Sequence, residues 1–123
     1  MDLTTDVLGG YAEEFADEAL PEEVIEKTKR VVLDSLGCCL GGFASPPSKI
    51  LRSVYGTPVA GDGGATVMGS GTTIPVEYAG FINSLMVRYL DFNDTYISEG
   101  RACHPSDHIP ALIAVAESEG STG

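Results

Sequence analysis

Two almost entirely apolar helical stretches near the end of the chain constrain its fold more than any other feature. The first is predicted over residues 75–90 and the second over residues 109–116. Apolar side chains occupy nearly every side of both helices, and helices of this kind are normally buried. Asn83 lies among the apolar positions of the first helix, so we expect its amide to have a hydrogen-bond partner. A chain of 123 residues forms at most one domain, and we expect both helices to need more protein around them than it contains.

The residues before these stretches also predict helices. Residues 5–18 form a short amphipathic pattern, and Pro21 opens a longer helix that two glycines end. One apolar stripe follows the helical period along this longer helix, made up of Ile25, Thr28, Val32, Leu36, Cys39, Leu40 and Phe43. Residues 48–55 predict a brief third helix, and a glycine-rich segment contains a short extended piece near residues 65–74. The predicted fold class is therefore all-α, mainly helical.

The formal net charge of -11 excludes two classes of partner. Nucleic acid and anionic membrane surfaces both attract clustered Lys and Arg, so we expect neither as a partner. The acidic excess itself has two interpretations that the residues leave open. It is either an ordinary acidic surface or an adaptation to high salt, in which dense carboxylates keep a protein hydrated.

The N-terminal residues and the cysteines predict a cytoplasmic protein with reduced thiols. Residues 1–6 contain neither a basic residue nor an apolar stretch, so we expect no signal peptide. The three cysteines are an odd number and Cys38 adjoins Cys39, which is unlike the pattern of a disulfide scaffold. The glycine-rich segment lacks the Gly-Lys-Ser/Thr of a phosphate loop, and we expect no cofactor.

The polar segment between the two apolar helices, residues 91–106, holds most of the candidate chemistry. Loops held by rigid buried elements are where catalytic groups tend to lie. The simplest interpretation is that its polar residues only cap helices, with Ser106 or Asp107 as the N-cap of the second apolar helix. In an acid–base interpretation His104 transfers a proton, a carboxylate such as Asp91 orients it, and Thr95 holds a substrate oxygen.

Two further interpretations of this segment are less favoured by the spacing of the residues. A metal site would use Asp91, Asp94, His104 and His108. The i,i+4 spacing of the histidines suits a metal only if both are helical, and Pro105 places His104 at or before the start of the helix. A nucleophilic pair of Cys103 and His104 is weaker still, because side chains of sequence neighbours diverge.

Several short motifs follow one another along nearly the whole chain. They are Leu33-Asp34-Ser35-Leu36-Gly37 with Gly41-Gly42, Ala65-Thr66-Val67-Met68-Gly69, Ala79-Gly80-Phe81-Ile82-Asn83, Leu90-Asp91-Phe92-Asn93-Asp94-Thr95, His104-Pro105-Ser106, and an Ala-rich helix that ends in Ala116-Glu117. In this order they resemble the N-terminal part of the MmgE/PrpD family. That family includes 2-methylcitrate dehydratase, cis-aconitate decarboxylase and iminodisuccinate epimerase.

The resemblance implies a fold, an assembly and a set of site residues. Residues 1–123 would be the N-terminal part of a large helical domain, whose remaining helices and smaller α+β lid domain lie outside this chain. The family usually forms homodimers and works without an iron–sulfur cluster. By the resemblance, Asp91, Thr95 and His104 match active-site positions, and Asn93 and Asp94 shape the same pocket. Further catalytic Lys, His and Tyr residues of the family would follow beyond residue 123.

The resemblance is greatest to the 2-methylcitrate dehydratase branch, although many family members have His at the place of Arg88 and Asp at the place of Asn93. The implied reaction is dehydration of a tricarboxylate in propionate catabolism, by acid–base chemistry without a metal. Cations must bind such a substrate, and Arg88 and Arg101 are the local candidates, with Ser106 as a further contact. There are two alternatives. One is a decarboxylase or epimerase of the same family, and the other is a non-catalytic fragment that serves folding or dimerisation.

Overall fold

The computed structural model describes residues 3–16, 20–59 and 63–121. Five α-helices in these ranges form most of the structure, namely α1 (Leu3–Ala16), α2 (Glu22–Gly42), α3 (Pro46–Tyr55), α4 (Val76–Arg88) and α5 (Ile109–Ser118). Two antiparallel hairpins are formed by β1 (Gly64–Val67) with β2 (Thr72–Pro75) and by β3 (Tyr96–Ser98) with β4 (Arg101–Cys103). The prediction of a mainly helical fold with a short extended piece near residues 65–74 is confirmed. No helix in the described part of the chain is long and apolar enough to cross a membrane.

Helices α2 and α4 pack together so closely that only glycine fits at their crossing. A Cβ added to Gly42 would lie 2.2 Å from the backbone carbonyl oxygen of Met86. Because this contact sets the rotation of α2, Ser35 and Cys38 face the core. The predicted apolar stripe is therefore displaced, and Leu40 is 59% exposed instead of buried.

The β1–β2 hairpin packs on α4 and is joined to it through Asn83. The backbone N–H of Met68 donates to Asn83 Oδ1 at 3.0 Å, and Asn83 Nδ2 donates to the Thr66 carbonyl at 2.9 Å. Asn83 is only 1% exposed, so the predicted hydrogen-bond partner of this buried amide is confirmed. The two hydrogen bonds hold the hairpin against α4, where Val67 and Ile74 of the hairpin are buried.

Helix α3 begins two residues earlier than predicted. Ser45 is its N-cap and accepts a hydrogen bond from the backbone N–H of Ser48, and two prolines occupy the first turn. Arg52 on this helix donates to the Phe43 carbonyl at 2.8 Å and to the buried hydroxyl of Ser48. These contacts hold the turn between α2 and α3.

The predicted N-cap of α5 is wrong. A 3₁₀ turn over Pro105–Asp107 precedes the helix, and His108 occupies the N-cap position without a side-chain hydrogen bond. Ser106 does not cap the helix because its hydroxyl accepts a hydrogen bond from Asn93, at 2.9 Å. The helix itself, predicted over residues 109–116, is confirmed.

The prediction that α4 and α5 are mostly buried holds for one side of each helix only. On α4, Phe81 is 53% exposed while Ile82 and Met86 are fully buried, and Tyr89, directly after the helix, is 46% exposed. On α5, Leu112 is 65% exposed. The two helices pack on each other and on β1, and α4 also packs on α2. The apolar sides that carry Phe81 and Leu112 have no cover in the described chain.

Helix α1 confirms the first predicted helix, with a shifted start. Of the predicted range 5–18, residues 17 and 18 lie outside the described residues. The side chains from Leu3 to Phe15 are all exposed, and Tyr11 stacks on Phe15 with ring centroids 5.6 Å apart.

Candidate active site

The polar segment between α4 and α5 folds back on itself through the β3–β4 hairpin. Tyr96 pairs with Cys103 at the base of the hairpin. This pairing brings residues 91–95, before the hairpin, against residues 104–107, after it. We call residues 91–107 the site loop and these two stretches its stems. Most of the candidate catalytic residues lie in the stems, so a hairpin that the sequence did not predict assembles the site.

The imidazole of His104 is held by the backbone of the opposite stem. Its Nδ1 lies 2.6 Å from the carbonyl oxygen of Asp94. A carbonyl oxygen can only accept a hydrogen bond, so Nδ1 carries the proton in this arrangement. In the neutral imidazole, Nε2 then carries the lone pair and can act as a base.

Thr95 joins the histidine to a groove between α2 and α5. Its hydroxyl oxygen lies 3.4 Å from His104 Nδ1. Thr95 also lines the α2–α5 groove, a cavity of about 490 Å³. The other lining residues are mostly apolar and comprise Lys27, Thr28, Val31, Val32, Asp94, Tyr96, Pro105, Ile109, Leu112 and Ile113. A ligand in this groove would meet the Thr95 hydroxyl beside the imidazole.

Asn93 and Ser106 hold the two stems together from within. Asn93 is 6% exposed and Ser106 is fully buried. The Asn93 Nδ2 donates to Ser106 Oγ at 2.9 Å and also lies 3.4 Å from Asp107 Oδ1. In the other direction, the Ser106 backbone N–H donates to Asp94 Oδ1 at 3.0 Å. Two hydrogen bonds that involve Ser106, one through its side chain and one through its backbone, therefore join the two stems.

Arg88 lies between carboxylates of both stems. Its Nη1 is 2.7 Å from Asp91 Oδ1 and 2.8 Å from Asn93 Oδ1, and its Nε is 3.6 Å from Asp107 Oδ1. Two carboxylates thus share its charge, which leaves less of it for a substrate. The prediction that Arg88 binds substrate is not tested by these contacts.

Asp91 has a different partner from the one predicted. The sequence interpretation made it the carboxylate that orients His104, but its carboxylate pairs with Arg88, and the Asp94 carbonyl holds the imidazole. The reason is local backbone geometry: Asp91 has a φ of 55°, in the left-handed region at the end of α4. Its side chain is 78% exposed, so its predicted place in the active site stays a prediction.

Of the predicted cationic residues, Arg101 lies apart from the α2–α5 groove. It is exposed on β4 and lines a separate cavity of the hairpin with Tyr96, Ser98 and Cys103. The structure instead places Lys27 of α2 in the groove beside Thr95. The helical period places Lys27 opposite the predicted apolar stripe of α2, which from the sequence alone indicates a solvent-facing side chain. The signal that could have found it is its i,i+4 spacing from Val31, which lines the same groove.

The candidate metal ligands and the thiols of the chain have different surroundings among the described residues. Within residues 3–16, 20–59 and 63–121, no group of three or more His, Cys, Asp and Glu side chains is arranged to hold a metal ion. All three cysteines are free thiols, and Cys103 is exposed. Burial raises the pKa of the Cys39 thiol to about 11, and burial together with the charges of Asp34 and Asp94 raises the pKa of Cys38. These two thiols are therefore poor nucleophiles.

Comparison with known proteins gives this geometry a family context. The chain is similar over 88 residues to 2-methylcitrate dehydratase of Salmonella typhi, with 39% identity over 70% of this chain and 18% of the relative. It is 33% identical over 102 residues to cis-aconitate decarboxylase of Homo sapiens, which covers 80% of this chain and 20% of the relative. A third relative, 2-methylcitrate dehydratase of Cupriavidus necator, is 34% identical over 75% of this chain and 19% of its own length.

The shared stretch is an N-terminal unit of longer proteins. The chain spans about a fifth of the length of the curated relatives it matches. The MmgE/PrpD N-terminal domain matches residues 6–123, almost the whole chain and all of the site loop. The chain therefore belongs to the MmgE/PrpD family.

Proposed function

We propose that this chain contributes the His104 part of the active site of a lyase that dehydrates 2-methylcitrate or a closely related polycarboxylate. The observation that carries the proposal is the contact of His104 Nδ1 with the Asp94 carbonyl, at 2.6 Å. It directs the lone pair of the neutral imidazole to Nε2, as a general base requires. The relatives named above are dehydratases and a decarboxylase, which are lyases.

The chemistry asks for one base close to the substrate. Dehydration removes a proton from a carbon next to a carboxylate and expels the hydroxyl group of the neighbouring carbon. In the proposal Nε2 of His104 takes the proton and the C–O bond breaks as the C=C bond forms. The departing hydroxyl group takes a proton from the imidazolium that has formed and leaves as water, which restores the neutral His104. Thr95, 3.4 Å from the same ring, holds an oxygen of the substrate through its hydroxyl. Positioned proton transfer of this kind contributes about 10²–10⁴-fold to a rate.

Binding a polycarboxylate needs positive charge that the average surface of this chain does not supply, since its net charge is -11. The described residues form ion pairs at Lys29 and Arg88, and neither Lys27 nor Arg101 takes part in them. Lys27 lines the same groove as Thr95. In this proposal its ammonium group binds a carboxylate of the substrate. In this proposal the other cationic side chains belong to the part of the longer relatives, about four fifths of their length, that this chain does not span.

The remaining expectations extend the same proposal. Asp91, Asn93, Asp94 and Ser106 complete the pocket, and Arg101 approaches the substrate from the β3–β4 hairpin. The protein acts as a homodimer in the cytoplasm and requires no cofactor. The resemblance to the family supports these expectations.

The proposal is tested with the purified full-length product of the gene that encodes this chain. Loss of water from 2-methylcitrate is followed by the absorbance of the conjugated double bond that forms, and carbon dioxide release from cis-aconitate is measured in parallel. We expect the kcat/KM for 2-methylcitrate dehydration to be higher than the kcat/KM for cis-aconitate decarboxylation. A folded protein that turns over neither compound would contradict the lyase assignment.

A decarboxylase is the second candidate, favoured by one observation. The match to human cis-aconitate decarboxylase covers 80% of this chain, against 70% for the Salmonella typhi dehydratase, although its identity is lower. Predominant release of carbon dioxide from cis-aconitate in the same assay would establish this candidate and overturn the first.

A further inference from the structure

Asn93 and Ser106 are buried polar residues in an otherwise exposed loop. Ser106 is 0% exposed and Asn93 is 6% exposed, whereas Asp91 and Thr95 on the same stems are exposed. The Ser106 hydroxyl faces the Asn93 amide and not the α2–α5 groove, whose lining includes neither residue. His104 does not line the groove either, but it is half-buried and beside Thr95, whereas the burial of Asn93 and Ser106 keeps a substrate from touching them.

The orientation of the Asn93 amide is set on its other side by Arg88. The guanidinium can only donate, so its contact at 2.8 Å identifies the Asn93 atom that faces it as the carbonyl oxygen Oδ1. The amide nitrogen Nδ2 then points to Ser106 Oγ and Asp107 Oδ1, both of which can accept. No rotation of the amide satisfies these partners equally well.

The same pair determines where the Asp94 carbonyl lies. Asp94 follows Asn93 directly, and its carboxylate accepts the backbone N–H of Ser106. Its own carbonyl oxygen is the group that contacts His104 Nδ1. With Asn93 bonded to the Ser106 side chain and Asp94 to the Ser106 backbone, the carbonyl is fixed relative to residue 104, two positions before Ser106.

We propose that Asn93 and Ser106 are positioning residues, which lock the two stems so that the Asp94 carbonyl keeps the proton of the neutral His104 imidazole on Nδ1. This inference rests on the proposed function for its catalytic consequence, but not for its structural one. The Asn93–Ser106 lock acts through His104 and makes no contact with the substrate. For Asn93 and Ser106, this positioning role takes the place of the direct substrate contact that the family resemblance led us to expect.

The structural consequence is tested by nitrogen-15 NMR of the histidine side chains in this chain at alkaline pH, where imidazoles are ordinarily neutral. The sequence has two histidines, and exposed His108 serves as the reference. We expect His104 to carry its proton on Nδ1 in the wild-type protein. Ser106→Ala should shift the His104 signals toward a mixture of both tautomers and leave those of His108 unchanged.

Ser48→Ala is the matched control. Ser48 is also 0% exposed and also accepts a hydrogen bond from a neighbouring side chain, that of Arg52 on α3. It should leave the tautomer of His104 unchanged. Asn93→Ala removes the lock from its other half and should reproduce the effect of Ser106→Ala.

Three results would overturn the inference. They are a wild-type His104 protonated on Nε2, an unchanged tautomer in both lock variants, and the unfolding of both variants, because a positioning pair should be dispensable for the fold.

The catalytic consequence is read in the full-length gene product with 2-methylcitrate. Misplacing a catalytic group lowers the rate of the chemical step while binding persists, so Ser106→Ala should lower kcat by about 10-fold or more and change KM less than about 3-fold. A raised KM with an unchanged tautomer would show direct substrate contact instead. If the tautomer responds as expected but the wild-type protein has no lyase activity, the proposed function fails and the positioning role stands.

Discussion

Two buried asparagines, ten residues apart, hold two different parts of this molecule. Asn83 is 1% exposed, and its side-chain amide bonds to backbone groups, those of Thr66 and Met68. Asn93 is 6% exposed and bonds to the side chains of Arg88, Ser106 and Asp107.

The difference in partners explains the difference between the regions. Backbone groups cannot turn away to water, so Asn83 is required for the packing of the β1–β2 hairpin on α4. Half-exposed charged side chains can be rehydrated when a partner is lost. We therefore expect the region around Asn83 to determine stability and the site loop to determine chemistry.

The largest effect on stability is expected at the crossing of α2 and α4. Gly42→Ala would place a methyl group 2.2 Å from a backbone oxygen, so the helices must separate. Overpacking lowers the free energy of unfolding typically by about 1–3 kcal/mol, and a contact with backbone atoms lies at the upper end of that range. Urea denaturation measures the change.

Gly37→Ala is the matched control for this substitution. Gly37 lies on the exposed side of the same helix, with nothing within 4 Å of an added Cβ. Alanine there should raise stability by up to about 1 kcal/mol. Equal losses from the two substitutions would show that the close helix approach is not what restricts residue 42.

The two asparagines allow the comparison to be tested directly. Asn83→Ala removes the hydrogen bonds to two partly buried backbone groups, those of Thr66 and Met68, and should lower the free energy of unfolding by about 3 kcal/mol. Asn93→Ala should lower it by less, about 1–2 kcal/mol, since Arg88 and Asp107 can turn to water and the Ser106 hydroxyl is the one buried partner that it leaves. A larger loss at Asn93 than at Asn83, in the same denaturation experiment, would reverse the assignment of the two regions.

Asp91→Asn probes the exposed end of the site loop. Asparagine tolerates the left-handed conformation at φ 55°, and an exposed ion pair with Arg88 contributes at most about 1 kcal/mol. We expect the fold to persist while turnover of 2-methylcitrate falls. If the variant unfolds, Asp91 has only a structural role at the end of α4.

A further expected effect is a pH dependence of stability in the region around Asn83. The buried Cys39 thiol lies 3.8 Å from the Asn83 carbonyl, and burial raises its pKa from 9.0 to about 11. The unfolded thiol ionises first as the pH rises, so the stability that the neutral folded thiol contributes is present below pH 9.0 and is lost toward pH 11. Cys39→Ala should lose less stability over this window. An identical loss in both proteins would assign it to other groups.

The sequence was most informative where contacts are local or follow a helical period. Asn83 could be predicted to be buried and bonded because it lies within an apolar helix. The rotation of α2 could not be predicted, since it depends on the approach of Gly42 to the α4 backbone. Leu40 is exposed for that reason, although the helical period alone places it on the apolar stripe.

The site loop shows the opposite balance. Its candidate residues could be named from their chemistry and from the family resemblance, but not their partners. Asn93 and Ser106 meet across 13 residues through the β3–β4 hairpin, whose three-residue strands are exposed on both sides and carry no alternating pattern. The role of the Asp94 carbonyl was missed because a backbone group leaves no signal in the residue types.

The turnover of His104→Ala tests the central claim most directly. In the full-length gene product with 2-methylcitrate, the variant should lose about 10²-fold or more in kcat. Its midpoint of urea denaturation should stay at the wild-type value, because His104 lies in the half-exposed site loop and outside the core. Near-wild-type turnover by the folded variant would contradict the claim that this loop carries the acid–base chemistry.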